Sequence, residues 1–234
     1  MKILAFDSTA KAASCAVLDD GHILASYNID NGLTQSELLL PMAEDILSSL
    51  GLKFSDIDAY AVSVGPGSFT GVRIGVSLVK GLAFGRDIPC IEVSTLDALA
   101  ENLSGLEGII VPCMDARRAQ VYNALFSCIG GERKRLTEDR AISLSDLSDE
   151  LRGYEGQKIY ISGDGYSVAR NALEKSGIVT EITPELLINE NAASVAKIAY
   201  QKYLSGEYVS DKEISPTYLR LPQAERERLE KLKN

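Results

Sequence analysis

Histidine occurs once in the 234 residues and cysteine four times, and basic side chains are outnumbered by acidic ones, 24 to 33, for a formal charge of −9. Each scarcity excludes something. The lone His22 follows Asp19-Asp20-Gly21, a hairpin-turn signal, with no second histidine or cysteine beside it. Neither a zinc set nor a Ser-His or Cys-His nucleophile is therefore available. Cys15, Cys90, Cys113 and Cys128 are widely spaced inside apolar runs without a C-x-x-C pair, which fits buried reduced thiols rather than disulfides or a metal site. The acidic balance opposes a chain that grips a phosphate backbone unaided. Its densest basic run, Arg133-Lys134-Arg135 after Gly130-Gly131, reads as a solvated loop, and the pair Arg117-Arg118 as a solvated turn. No apolar run reaches the length of a membrane span and no signal-peptide pattern opens the chain, so a soluble, cytoplasmic protein is expected.

What is present centres on Gly65-Pro66-Gly67-Ser68-Phe69-Thr70-Gly71-Val72-Arg73-Ile74-Gly75, which joins a strand-like run from Ala59 to Val64 to an apolar helix over 71–85. Gly65 and Gly67 permit positive φ or close backbone approach, and Ser68 or Thr70 can cap the helix. Such a junction is either an anion seat, because free N–H groups and the helix dipole converge there, or a glycine-rich turn that binds nothing. Neither phosphate fingerprint is matched: G-x-G-x-x-G would need glycine at Thr70, and the P-loop Gly-Lys-Ser/Thr is missing.

Nearly half the residues are apolar, enough for one large or two small cores, and two are expected. Strands are predicted at Ile3 to Phe6, ending at Asp7, then at Ser14 to Leu18 and His22 to Tyr27. Leu39, Met42, Ala43, Ile46 and Leu47 fall at helical spacing before Gly51, with Pro41 in the first turn or at a bend. In the helix over 71–85, Val72, Val76, Val79 and Ala83 can pack on their own sheet. That leaves Gly71, Ile74, Gly75, Leu78 and Leu82 on another side, for burial inside the domain or for a partner helix. After a strand at Pro89 to Val93 and a helix at Thr95 to Leu103, the pattern repeats. Gly108 to Met114 ends at Asp115, Gln120 to Phe126 follows, and Lys158 to Ser162 runs into Gly163-Asp164-Gly165. Two diverged copies of one unit are the simplest account, with lobes at 1–103 and 104–210 and a tail at 211–234. Helices are expected at 145–151 and, capped by Asn191, at 192–204. The charged stretch 223–234 reads as an exposed or frayed helix-prone tail.

The glycine-rich stretch, together with Ile3-Leu4-Ala5-Phe6-Asp7-Ser8-Thr9 and Pro89-Cys90-Ile91-Glu92-Val93-Ser94-Thr95-Leu96, resembles the TsaB family. The likeness is dense over the first hundred residues and patchy later, at Tyr160 to Gly165 and Pro216-Thr217-Tyr218-Leu219-Arg220. It implies an α/β fold of two tandem RNase H-like lobes with mixed sheets flanked by helices, the actin-like and sugar-kinase-like (ASKHA) architecture. It also implies a non-catalytic subunit of the bacterial complex that makes N6-threonylcarbamoyladenosine at adenosine 37 of tRNA. Such a subunit pairs with a TsaD-like catalytic subunit through the helices at 36–50 and 71–85, works with a TsaE-like ATPase, forms a homodimer when alone, and meets tRNA only through the complex. The implied contact residues are Leu39, Met42, Ala43 and Ile46 on one helix and Gly71, Ile74, Gly75, Leu78 and Leu82 on the other.

In the wider fold the strand-end acid Asp7 would be a general base or magnesium partner facing the crevice, with Asp115 its counterpart. Here Ser8-Thr9 replaces the Gly-Thr of the phosphate loop, and no Gly-Gly adenosine loop is found, the nearest being Gly163-Asp164-Gly165. Asp7, Ser8, Thr9, Gly65, Gly67, Asp115, Gly163 and Gly165 are thus expected as a vestigial nucleotide site, with no cofactor. TsaD holds its metal with His-x-x-x-His, and the matching positions are Thr95 and Leu99. Leucine ligates nothing, so no catalytic metal is expected. The alternative is a stand-alone actin-fold ATP-dependent kinase or hydrolase using Asp7, Gly65 to Thr70 and Asp115.

Overall fold

Alternation and turn chemistry build the first sheet. The computed structural model describes residues 1–220, so the expectation for 223–234 lies outside the described residues. Strand β1 (Lys2–Asp7) pairs antiparallel with β2 (Ala13–Asp19), which pairs with β3 (His22–Ile29). The β2–β3 turn puts Asp20 at φ 45° and Gly21 at φ 84°, the pair of positive values that suits a two-residue hairpin. On the other side β1 pairs parallel with β4 (Ala59–Gly65), and β4 with β5 (Cys90–Ser94), giving the order β3-β2-β1-β4-β5.

Period two sends Leu4 and Phe6 to one face and Ile3 and Ala5 to the other. The first face packs on α1 (Gln35–Ser49) and α2 (Phe69–Ala83), through Leu39, Met42, Ile46, Val72, Val76 and Val79. Helix α1 starts where the Glu37 carboxylate accepts from the Thr34 N–H at 2.9 Å and the Thr34 hydroxyl at 2.7 Å. Pro41 lies in its second turn, not the first, inside a helix that continues to Ser49. Helix α2 begins two residues earlier than the glycine pattern suggested, because Ser68 is the N-cap and accepts from the Gly71 N–H.

The second sheet repeats the plan. Strand β6 (Gly108–Asp115) pairs antiparallel with β7 (Gln120–Asn123) and β8 (Phe126–Ile129) in one continuous register, Cys113 facing Asn123 and Ile110 facing Phe126. The pairing lapses opposite Pro112, which has no N–H to give, and Asn123 Nδ2 donates to the carbonyls of Pro112 and Ala124, each at 3.0 Å. Strands β9 (Glu132–Arg135) and β10 (Arg140–Ser143) flank β8 and β7, and β11 (Ile159–Ser162) pairs parallel with β6 as β4 does with β1. Helices α4 (Leu144–Leu151) and α5 (Tyr166–Lys175) cover the outer face.

The sheets occupy separate stretches of sequence; their helices do not. Helix α3 (Thr95–Glu101), which follows the first sheet, and Leu103 just beyond it pack Leu96, Leu99 and Leu103 against Ile110, Met114 and Phe126 of the second. Helix α6 (Ala192–Leu204), which follows the second, packs Val195, Ala196 and Ala199 against Ile3, Ala5, Ala59 and Ile91 of the first. Each fully buried leucine or valine contributes about 1.5–3 kcal/mol, so this exchange binds the lobes into one unit. It also holds the ends of β1 and β6 on facing sides of a cleft.

Candidate functional site

Asp7 ends β1 but does not face that cleft. It is 1% exposed, one oxygen accepts from the Thr9 N–H at 2.9 Å and the Thr9 hydroxyl at 2.8 Å, and the other takes a short bond from the Ser63 hydroxyl on β4. Burial raises its pKa, and the bonds from Ser63 and Thr9 oppose that. The expectation of a crevice-facing base or magnesium partner is therefore corrected: its acceptors are consumed by Thr9 of its own turn and Ser63 of the neighbouring strand.

The glycines around it are small for packing. A Cβ on Gly71 would overlap the Ser8 carbonyl oxygen, on Gly67 it would lie 2.5 Å from the Thr9 carbonyl oxygen, and on Gly65, at φ 116°, 2.6 Å from that of Thr217. Ser8 Oγ donates to the Gly71 carbonyl at 2.8 Å, and the Ser68 N–H to the Thr9 carbonyl at 2.6 Å. Close approach is the reason these residues are glycine, as the motif suggested, but the approaching group is the chain's own backbone.

The matching turn in the second half behaves alike. Gly163, at φ 94°, and Gly165 lie against the Cys113 carbonyl, and the Gly165 N–H donates to it at 2.9 Å. Asp115 sits on the cleft wall, its N–H bonded to Asp164 Oδ1 at 2.8 Å and its own carboxylate accepting from the Arg117 N–H at 2.7 Å. Beneath lies Glu190, 3% exposed, accepting from the Asp164 N–H at 3.3 Å. Desolvation first and the neighbouring Asp7 second push its pKa up to about 8.

Between the lobes lies a cavity of about 560 Å³ whose walls include Lys11, Gln35, Ser68, Asp115, Arg117 and Tyr218. A magnesium nucleotide held as this fold class holds one does not fit the residues present. Asp7, Ser8 and Thr9 are buried and do not line the cavity, and the glycine positions that would admit phosphate are filled by backbone. Among the described residues no cluster of three His, Cys, Asp or Glu side chains could hold a metal. Thr95 and Leu99 are fully buried, and Leu99 packs under Gly163 in the core between the lobes.

The implied contact residues divide. Leu39, Met42, Ala43 and Ile46 are buried in the chain's own core, and Gly71 and Gly75 face inward, a Cβ on Gly75 falling 2.5 Å from Ser8 Oγ and 3.0 Å from Val62. Met42, Ala43, Ile46, Gly71 and Gly75 are corrected to internal packing, whereas Leu39, although buried, also lines a groove between α1 and α2. Ile74, Leu78 and Leu82 are only partly covered, and Ile74 and Leu78 line the same groove, of about 550 Å³, with Leu40, Arg73 and Ser77.

The basic run 133–135 also departs from expectation. It is strand, not loop: Arg133 and Arg135 turn inward, ion-paired to Asp97 at 3.0 and 2.7 Å, with Phe126 under both guanidinium groups. Arg117 and Arg118 do lie in a turn, at φ 62° and 54°. All four cysteines are free and buried, as expected, with burial raising their thiols, that of Cys15 to about 12. No helix among the described residues is long and apolar enough to cross a membrane. Sequence reasoning missed Ser63, Glu190 and the contact between Arg73 and Tyr218, each of which depends on residues distant in the chain.

Two mixed sheets, each with a first strand paired antiparallel on one side and parallel on the other and clasped by exchanged helices around a cleft, define the RNase H-like, two-lobed ASKHA class. The (R)-2-hydroxyglutaryl-CoA dehydratase component A of Acidaminococcus fermentans shares this fold, with a TM-score of 0.51 at 13% identity over 87% of this chain and 99% of that one. YeaZ from Pseudomonas aeruginosa is more similar, with a TM-score of 0.75 at 27% identity, covering 93% of this chain and 99% of its own. A family described as TsaD, tRNA N6-adenosine threonylcarbamoyltransferase, matches residues 34–228. The tRNA threonylcarbamoyladenosine biosynthesis protein TsaB of Escherichia coli is 32% identical over 94% of this chain and 95% of its own length, and that of Bacillus subtilis 30% identical over the whole of both. The chain belongs to the TsaB family of tRNA threonylcarbamoyladenosine biosynthesis proteins, related to TsaD.

Proposed function

We propose that this chain is a non-catalytic subunit of a complex that makes N6-threonylcarbamoyladenosine at adenosine 37 of tRNA, and that it supports a TsaD-like catalytic chain by docking on it through α1 and α2. A TsaE-like ATPase is the third member, tRNA is met through the complex, and the free chain self-pairs on the same face in the cytoplasm. What supports this reading is the split between two surfaces. The strand-end acid that would do chemistry is satisfied internally by Ser63 and Thr9, while Ile74, Leu78 and Leu82 form a partly covered apolar strip beside an open groove. Helices docked along such a strip bury it against a matching apolar face.

Reconstitution tests the proposal. Purified TsaD-like and TsaE-like subunits are assayed for tRNA modification with and without this chain, and again with its Asp7→Asn variant. Modification that requires the chain and tolerates Asp7→Asn is the expected result. Modification unaffected by omitting the chain, or turnover of Mg-ATP by the isolated chain that disappears in Asp7→Asn, contradicts the proposal.

A further inference from the structure

Arg73 stands where two features of the surface meet. Its side chain lines the α1–α2 groove beside Ile74, Ser77 and Leu78. Its Nε also donates to the Tyr218 hydroxyl at 2.8 Å, and its guanidinium carbon lies 3.9 Å over the Phe69 ring. Tyr218 stacks on that same ring, with centroids 4.5 Å apart. One residue earlier, the Thr217 N–H donates to the Val64 carbonyl at 2.8 Å. Two residues later, Arg220 Nη2 donates to Gln120 Oε1 at 2.5 Å, and its guanidinium carbon lies 5.8 Å from the Tyr122 ring centre. Residues 217–220 therefore run from the β4–α2 junction of the first lobe to β7 of the second, and all four line the cleft they cross. Gln35 and Thr70 line both the cleft and the groove, so the two adjoin, with Arg73 on the groove side of their border and Tyr218 on the cleft side.

We propose that residues 217–220 form a strap across the interlobe cleft whose hold is read at the α1–α2 face: a protein docked in the groove draws Arg73 off Tyr218, loosens the strap and opens the cleft beside the dock. The inference rests on the reading above that this face takes a TsaD-like chain. Its physical basis is the weakness of the tie at that end, which is one hydrogen bond to an uncharged phenol, one aromatic stack and one backbone bond at Thr217. A phenol is a poor acceptor for a guanidinium compared with a carboxylate, so any carboxylate that a docked partner brings to Arg73 outcompetes Tyr218 for it. Once Arg73 leaves, the Phe69 and Tyr218 rings both lose the cation that lies 3.9 and 5.7 Å from their centres.

The chain has no tryptophan, which makes the test direct. Phe69→Trp places a single indole against both Arg73 and Tyr218 without replacing either partner of their bond, and 5-fluorotryptophan labelling gives one fluorine resonance. Tyr218→Ala on that background supplies the position of the released state. The labelled full chain is titrated with an unlabelled TsaD-like subunit, with pairing followed by light scattering on the same samples. The expected result is a shift of the resonance toward the released position as pairing proceeds. Amide exchange of Thr217 in the unsubstituted chain gives a second reading, expected to speed up on pairing. Pairing with the resonance and the Thr217 amide both unmoved overturns the coupling and leaves the docking reading intact; absence of pairing overturns the docking reading and the coupling with it.

Discussion

Ser8 and Gly71, 63 residues apart in sequence, are joined by a 2.8 Å hydrogen bond from the serine hydroxyl to the glycine carbonyl, and the approach is so close that a methyl group on Gly71 would overlap the Ser8 carbonyl oxygen. Two backbones meet there and neither has a flexible end that can yield. Gly71→Ala should therefore cost about 3 kcal/mol or more, in the range of severe overpacking. Gly81, in the same helix, has nothing within 4 Å of its missing Cβ, and Gly81→Ala should stabilise by about 0.5–1 kcal/mol. Urea unfolding of both variants measures the difference, and equal midpoints would contradict the packing.

Asp7 is predicted to matter for stability and not for turnover. Asp7→Ala leaves the Thr9 N–H, the Thr9 hydroxyl and the Ser63 hydroxyl without their buried acceptor, a loss of about 1–3 kcal/mol. Asp7→Asn retains a carbonyl acceptor and should lose less. Thermal melting orders the variants, and a reconstituted modification assay should find the folded Asp7→Asn protein active. Normal melting together with abolished modification would mean that the carboxylate does chemistry after all.

Glu190 gives the stability a pH dependence of definite sign. Burial and the nearby Asp7 raise its folded pKa to about 8, so the folded chain holds a proton that the unfolded chain has released at its ordinary carboxylate value. Stability should then fall as pH rises between about 4.5 and 8, with a slope of up to about 1.4 kcal/mol per pH unit from this group. Glu190→Gln, neutral at every pH, should remove that component and melt higher than the parent at pH 8 while nearly matching it at pH 4.5. Melting curves across this range check it. A variant that melts lower at pH 8 would place an ionised, stabilising glutamate at this position.

Local chemistry made much of the fold legible. The Asp-Asp-Gly turn, the nearly all-apolar β4, the Ser68 and Asn191 caps and the recurrence of strand-Asp at Asp7 and Asp115 all act within a few residues. The assignment of helices to sheets was not legible, because apolarity at α3 and α6 says that they are covered without saying by what. Gly75 failed for a related reason. A small residue on an apolar helix marks a close approach, and the pattern is the same whether the approaching group is a partner helix or, as here, Ser8 and Val62 of the same chain. Asp7 was found by its place at a strand end, but its sequestration depends on Ser63, 56 residues away. Glu190, a lone acid before a helix, carried no signal in the sequence.

The central claim, that the partly covered strip of α2 is a docking face, is tested most directly at Leu78, which also lines the groove. Leu78→Asp keeps a solvated carboxylate in the free chain but desolvates it at the centre of a docked interface, at a cost of several kcal/mol. Size exclusion with light scattering, run beside circular dichroism melts on the same samples, should show a folded monomer with a melting temperature close to that of the parent and no complex with the TsaD-like subunit. A folded Leu78→Asp chain that still self-pairs and still binds that subunit would contradict the account.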